Sequence, residues 1–332
     1  MLTLVIIGVV LALVFDFVNG MNDAANSIAT IVGTRVMRPG LAVVWAAFFN
    51  FVAAFIFGVA VAKTIGKGIV DPAVVSQWLI LAALVGAITW SYACTHLGLP
   101  ISVSHALIGG LAGAAVIKAG FGALLGAGLA KILLFIVLSP VIGLVLGFLF
   151  MVAVYWIFRR STPRGVDRIF RVGQLISSAV FSLGHGTNDA QKTMGIIAAL
   201  LYSSGYLGNT FYVPIWVVLA AHTAIALGTL AGGWRVVRTM GMRLTALKPV
   251  GGFCAETAAA VSILGASLAG VPVSTTHTIT GAILGVGATR GTSAVRWGVA
   301  GRILWAWLLT IPCSALLAAG VWWVFYATGL GS

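Results

Sequence analysis

Ten apolar stretches fill most of this chain. They run at 2–32, 41–62, 78–97, 101–117 and 132–158, then at 172–200, 211–231, 250–269, 272–288 and 303–327. A membrane-spanning helix needs about 20 apolar residues, and most of the stretches reach that length. Charged residues make up 8% of the chain and hydrophobic ones 61%, with mean hydropathy +1.11. Soluble domains carry about 25% charged residues, so a bilayer is the expected solvent. The 42 glycines suit close helix–helix approach in lipid, where packing replaces the hydrophobic effect as the association force. The first stretch has no basic n-region and no small-residue cleavage site, and is expected to remain as a helix.

The net charge of +13 does not point to nucleic acid, because the basic residues sit in short gaps between apolar stretches. The expectation is cytoplasmic loops obeying the positive-inside rule. The gap 159–171, RRSTPRGVDRIFR, holds five arginines and divides the chain into a first repeat (1–158), a basic cytoplasmic linker (159–171) and a second repeat (172–332). Arg35 and Arg38 follow the first stretch of the first half, whereas the matching gap of the second half, 201–210, has no charge. The next gaps carry Lys63, Lys67 and Asp71 against Arg235, Arg238, Arg243 and Lys248, and the last Lys118 and Lys131 against Arg290, Arg296 and Arg302. The basic bias alternates with opposite phase, and five segments per half is an odd number. The second half is therefore expected upside down, with both termini outside. Transporters built from inverted repeats hold substrate near the midplane between them. The fold class expected is an all-α polytopic membrane protein of two inverted repeats, with broken helices and helical hairpins. The short stretches 101–117 and 272–288 follow tight turns at Gly98–Pro100 and Gly270–Pro272, which makes hairpins that either span or re-enter.

Polar residues recur in register between the halves. Asn22–Asp23 returns as Asn188–Asp189, 166 residues on, and LPISVSHALIGG at 99–110 returns as VPVSTTHTITGA at 271–282. Ser102 thus matches Ser274, Ser104 matches Thr276 and His105 matches His277. Gly20 and Gly186 are expected to break their helices at membrane depth, which requires protein or a wet cavity around the break. The segments after the hairpin turns start new helices, whose N-terminal amides and hydroxyls at Ser102 and Ser104 suit an anion. The carboxylates of Asp23 and Asp189 suit a cation instead, sodium or a proton.

The chain has only six acids. Asp16, Asp23, Asp189 and Glu256 lie in apolar stretches, where a charge costs roughly 2.5 kcal/mol or more and calls for a partner or a function. Glu256 aligns with Leu84 and breaks the symmetry; it either takes part in transport or makes a helix-packing hydrogen bond. Asp16 aligns with Ser182 and is open between structure and function. Lys192, three residues after Asp189 and aligned with Asn26, either neutralises that acid or adds positive potential for an anion. His105 and His277 either contact substrate or cap helices, and His185, aligned with Asn19, is a group that can titrate near neutral pH. His96 and His222 read as isolated, satisfied histidines. Tryptophans such as Trp322 and Trp323 read as interface anchors. Cys94, Cys254 and Cys313 show no metal or redox spacing, and no nucleophile elbow, metal-binding helix pair or soluble catalytic domain supports an intramembrane enzyme.

At GMNDAANS (20–27), GLPISVSHALIGG (98–110), HGTNDAQKTMG (185–195) and GVPVSTTHTITGAILGVG (270–287) the chain closely resembles the inorganic phosphate transporter family, the PiT-type permeases, over essentially its whole length. The resemblance implies a secondary transporter that takes up phosphate in symport with sodium or protons by alternating access, in a prokaryotic inner membrane and without a cofactor. It implies that Asn22, Asp23, Asn26, Asn188 and Asp189 line the ion and substrate site. Ser102, Ser104, Ser274, Thr275 and Thr276 supply anion donors, with His105, His277 and Lys192 beside them and Glu256 in support. Sodium would sit at Asp23, Asn26 and Asp189. Sodium-coupled relatives tend to have Asn where this chain has Lys192, which leans toward protons or fewer sodium ions. Sulfate or a metal–phosphate complex is the alternative cargo, and a homodimer the expected assembly.

Overall fold

The structure, a computed structural model, describes residues 2–331 except Phe57 and, for Lys67, the backbone alone. The apolar stretch 41–62 therefore includes one residue outside the described set. The described residues form twelve α-helices: α1 (Leu2–Gly33), α2 (Pro39–Val52), α3 (Ala60–Lys67), α4 (Gln77–Leu97), α5 (Val103–Ala119), α6 (Gly126–Ile157), α7 (Pro163–Ser203), α8 (Ile215–Ala231), α9 (Trp234–Met242), α10 (Pro249–Leu268), α11 (Thr275–Ala288) and α12 (Trp297–Ala327). Five of these, α1, α4, α6, α10 and α12, are long and apolar enough to cross a membrane. Two further pairs are bent, α2–α3 by 86° and α8–α9 by 73°.

The element order of one half repeats in the other. α1 corresponds to α7, α2–α3 to α8–α9, α4 to α10, α5 to α11 and α6 to α12. Small features repeat as well. α6 contains Pro140 and α12 Pro312, and isolated backbone bridges join Val70 to Leu124 and Thr245 to Val295. α5 and α11 are both N-capped by serine: the Ser102 hydroxyl accepts from His105 N–H and the Ser274 hydroxyl from His277 N–H. Such caps satisfy amides that the first helical turn leaves free.

The matched helices α1 and α7 lie side by side and run in opposite directions. Pairings along the seam fix this: Arg171 Nη1 donates to Arg35 O, Thr34 Oγ1 to Gln174 Oε1, and Asp23 faces His185. Gly8, near the start of α1, packs against Leu200 near the end of α7.

Both helices run unbroken through the glycines expected to break them. These glycines serve packing instead. A Cβ on Gly20 would lie 2.2 Å from Ile225 O, and one on Gly186 2.6 Å from Asn50 O, so each lets a neighbouring helix approach to backbone contact. The broken helices lie one element later, at the α2–α3 and α8–α9 bends. α9 carries Arg235 and Arg238, placing in a helix what reads as loop in the sequence. Most of the linker is helical too, because α7 starts at Pro163 behind a Thr162 cap. Trp322 is buried rather than an interface anchor, with Lys118 above its ring, whereas Trp323 is exposed.

The last helix of each half crosses to the other half's hairpin. α6 packs on α10 and α11, and α12 on α4 and α5. Glycines set these contacts, at Gly143 against Thr278 O and Gly281 against Pro140 O, and at Gly109 against Ile311 O and Gly113 against Ala315 O. Gly228 on α8 is equally tight, because a Cβ there would lie 2.0 Å from Phe17 O. Gly228→Val is expected to split α8 from α1 and abolish the monodisperse detergent-solubilised peak, read by fluorescence-detected size exclusion; a wild-type profile would contradict this packing.

Candidate functional site

The α1–α7 seam carries the motif residues at its centre, and the two hairpin tips close over it. α5 and α11 have 17 and 14 residues, about 25 and 21 Å at 1.5 Å per residue, shorter than the ~30 Å hydrocarbon core. Both begin inside the protein, beside the seam. Their tips meet where the His105 and His277 rings contact edge to face with centroids 4.8 Å apart. Trp307 of α12 stacks on His277 at 3.7 Å and donates to Pro100 O at 3.0 Å, holding both tips.

Thr275 and Thr276 open α11 and reach both acids. Thr275 Oγ1 donates to Asp189 Oδ2 at 3.1 Å and Thr276 Oγ1 to Asp23 Oδ1 at 3.1 Å, while Asn26 Nδ2 donates to Thr276 Oγ1 at 2.9 Å. Lys192 Nζ uses all three of its protons: it lies 2.5 Å from Asp189 Oδ1, 2.5 Å from Ser104 Oγ and 2.9 Å from Val273 O. One ammonium thus ties α7 to the tips of both hairpins. His185, one turn before Asp189, puts Nε2 3.2 Å from Asp189 Oδ2 and 3.7 Å from Asp23 Oδ2, and Nδ1 3.2 Å from Asn50 Oδ1. Asp23 is 2% exposed and His185 and Asp189 are 0% exposed, so the group is sealed from both sides.

Of the residues singled out in the sequence, Asp23, Asn26, Asp189, Lys192, Ser104, Thr275 and Thr276 converge in this one cluster. Asn22 and Asn188 lie just outside it in matched roles: Asn22 Nδ2 donates to Thr95 on α4 and Asn188 Nδ2 to Ser267 on α10. Ser102 and Ser274 act as helix caps. His277 Nδ1 lies 3.4 Å from Ile136 O. Glu256 is apart from the cluster. It accepts from Thr30 Oγ1 at 2.5 Å, from Gln174 Nε2 at 3.0 Å and from Ser177 Oγ, joining α1, α7 and α10. Thr30 is seven residues beyond Asp23, about 10 Å along the helix. Sequence reasoning left His185 outside the site, although its spacing of four from Asp189 places both on one helix face. Nothing in the sequence marks Asn50, Gln174 or Ser177, which lie on segments without a repeated motif.

The ligand atoms of Asp23, His185 and Asp189 all lie within 4.8 Å of one another, close enough to share a cation. The Asp189 side is already taken by the Lys192 ammonium. With both acids ionised, Lys192 charged and His185 neutral, the group carries one net negative charge, which one proton or one monovalent cation cancels.

The comparisons agree on the family. The Phosphate transporter family matches residues 19–318. A Rhizobium meliloti protein described as a probable low-affinity inorganic phosphate transporter is 59% identical over 94% of this chain and 93% of its own length. A Bacillus subtilis protein with the same description is 45% identical over 96% of each. A solved structure described as the sodium-dependent phosphate transporter superposes with TM-score 0.88 at 29% identity, covering 98% of this chain and 99% of that one. None of these relatives is described as carrying sulfate. The shared fold, the paired Asn–Asp motifs and the two serine-capped hairpins make this an integral membrane transporter and not an enzyme, and the chain belongs to the phosphate transporter family.

Proposed function

We propose that this protein takes up inorganic phosphate in symport with protons, by alternating access of two inverted repeats. Phosphate as cargo is supported by the descriptions of the relatives. The antiparallel run of α1 and α7 supports the inversion, since equivalent helices of an inverted repeat must point opposite ways. The observation that carries the choice of proton is Lys192. Its ammonium holds Asp189, the Ser104 hydroxyl and Val273 O, an oxygen set that a sodium ion would otherwise use. With that position filled by a fixed cation, charge balance for an incoming anion falls to protons on Asp23 and His185.

Phosphate would bind between the hairpin tips and the seam, where the α5 and α11 N-termini offer amides and Ser104, Thr275 and Thr276 offer hydroxyls. The sealed state corresponds to an occluded step, and relative rocking of the repeats would open it to either side. In this reading 159–171 lies on the cytoplasmic side of a prokaryotic inner membrane. Arg159, Lys248 and Arg290 border one groove at that end, and Arg171 and Arg35 meet there, whereas Lys118 reaches Val74 and Ser76 at the other.

The test is uptake of radiolabelled phosphate into proteoliposomes under one gradient at a time. A proton gradient alone should drive accumulation at least about tenfold above a sodium gradient alone, and Asp23→Asn should remove it. Accumulation driven by sodium alone would overturn proton coupling.

A further inference from the structure

The seam holds another carboxylate that the central cluster does not use. Asp16 is fully buried in α1, and both of its oxygens lack a hydrogen-bond partner. Asn19 on the same helix and Thr193 on α7 face it. Asn19 Oδ1 and Thr193 Oγ1 are buried and lack partners as well. Among the described residues, the charged or titratable groups that face Asp16 are His185 and Asp189, both on α7. Lys192 is turned toward Asp189. The other helices against α1 place no such group on Asp16: α2 has no ionisable side chain, His222 of α8 bonds Val218 O through Nδ1, and His96 of α4 bonds Tyr92 O. Glu256 of α10 is held by Thr30, Gln174 and Ser177, and His105 of α5 and His277 of α11 meet each other at the hairpin tips. Arg235 of α9 donates to His96 O.

An ionised carboxylate without a paired cation is strongly disfavoured in such a place. A proton resolves several orphan atoms together. A carboxylic acid has one O–H donor and keeps acceptor capacity. The Asp16 O–H can donate to Asn19 Oδ1, and the Thr193 hydroxyl can donate to the other Asp16 oxygen. The repeat comparison sharpens this. Asp16 and Thr193 align with Ser182 and Ser27, so the equivalent place in the other half holds two hydroxyls and no acid. Asp16 lies seven residues before Asp23, about 10 Å, and Thr193 follows Asp189 along α7. Both steps lead away from the arginine-rich end of the seam.

We propose that Asp16 is a second proton-binding site, on the outer side of the Asp23–His185–Asp189 cluster, that carries one proton inward per transport cycle. This rests on the proton-coupled reading above. In the occluded state the proton sits on Asp16, shared with Asn19 and Thr193. When the seam opens inward, water reaches the carboxyl, the proton leaves to the cytoplasm, and a proton from outside restores the acid on return.

The full chain in proteoliposomes tests it through a ratio that does not depend on how much protein is active: protons taken up per inorganic phosphate. D16N, whose amide can also donate to Asn19 Oδ1, should lower this ratio by one. Infrared difference spectra of wild type against D16N at neutral pH should show loss of a protonated-carboxyl band. Should D16N fail to fold, D16E is used, and a shifted band replaces a lost one. An unchanged ratio, or a band untouched by either substitution, overturns the assignment. So does radiolabelled sodium binding that wild type shows and D16N lacks, which would make Asp16 a sodium ligand. If wild type shows no proton-driven uptake, the coupling reading fails by itself, and the infrared band still decides whether Asp16 is protonated.

Discussion

Lys192→Met is expected to reduce phosphate uptake below about 1% of wild type and to destabilise the protein by about 3–5 kcal/mol, the usual result of removing one partner from a buried ion pair. The substitution leaves Asp189 Oδ1, Ser104 Oγ and Val273 O without the ammonium that joins them. It also leaves two carboxylates sharing a sealed space with only His185 between them. Proteoliposome uptake measures the first effect and thermal unfolding in detergent the second. The double variant Asp189→Asn/Lys192→Met should recover most of the stability but not the transport, since it removes the uncompensated charge without restoring the link between the hairpins. Losses that simply add would mean that the two residues act independently. Lys192→Asn separates charge from coordination: it offers an acceptor where the ammonium was, and uptake should become responsive to sodium. If it stays indifferent to sodium, the lysine is not what excludes that ion.

Glu256→Gln is expected to keep nearly wild-type stability while lowering uptake at least tenfold. The three donors around Glu256, from Thr30, Gln174 and Ser177, can be met by an amide of the same shape: its oxygen accepts from Thr30 and Gln174, and its N–H₂ donates to the Ser177 hydroxyl. Only the charge is lost. Glu256→Ala instead strands all three partners, each at about 1–3 kcal/mol, and should lose the folded protein. Equal uptake by wild type and Glu256→Gln would reduce Glu256 to a brace between α1, α7 and α10.

Much of the site is legible in the sequence because the chain states it twice. The Asn–Asp and Ser-x-Ser/Thr–His motifs recur in register, so residues distant along the chain are identified before their contacts are known. The Lys192–Asp189 pair is likewise visible from its helical spacing. Glycine is where the reading goes astray. Gly20 and Gly186 look like breaks in apolar helices, yet a missing Cβ serves close packing as readily as bending, and only the position of the neighbouring backbone separates the two uses. α3 and α9 escape notice because each is a short amphipathic helix beyond a sharp bend, too polar to read as a span. Gln174 and Ser177 are invisible for another reason: they belong to the linker-proximal part of α7, which has no counterpart motif, and they matter only because α10 delivers Glu256 to them.

The exchange of last helices between the halves has a consequence for how the protein is made. α6 ends at Ile157, but the helix whose glycines it receives, α11, begins at Thr275. At about 5–20 residues per second of synthesis, α6 waits on the order of 10 s in the bilayer before its partner emerges. During that interval it presents Gly143 and Gly147 to lipid, which fills a glycine groove poorly. The first half therefore cannot mature as a finished unit ahead of the second. Assembly has to end as a clasp in which α11 slots onto α6 and α12 closes onto α5 last, so a truncation within α12 would leave the first hairpin unsupported although every residue of the first half is present.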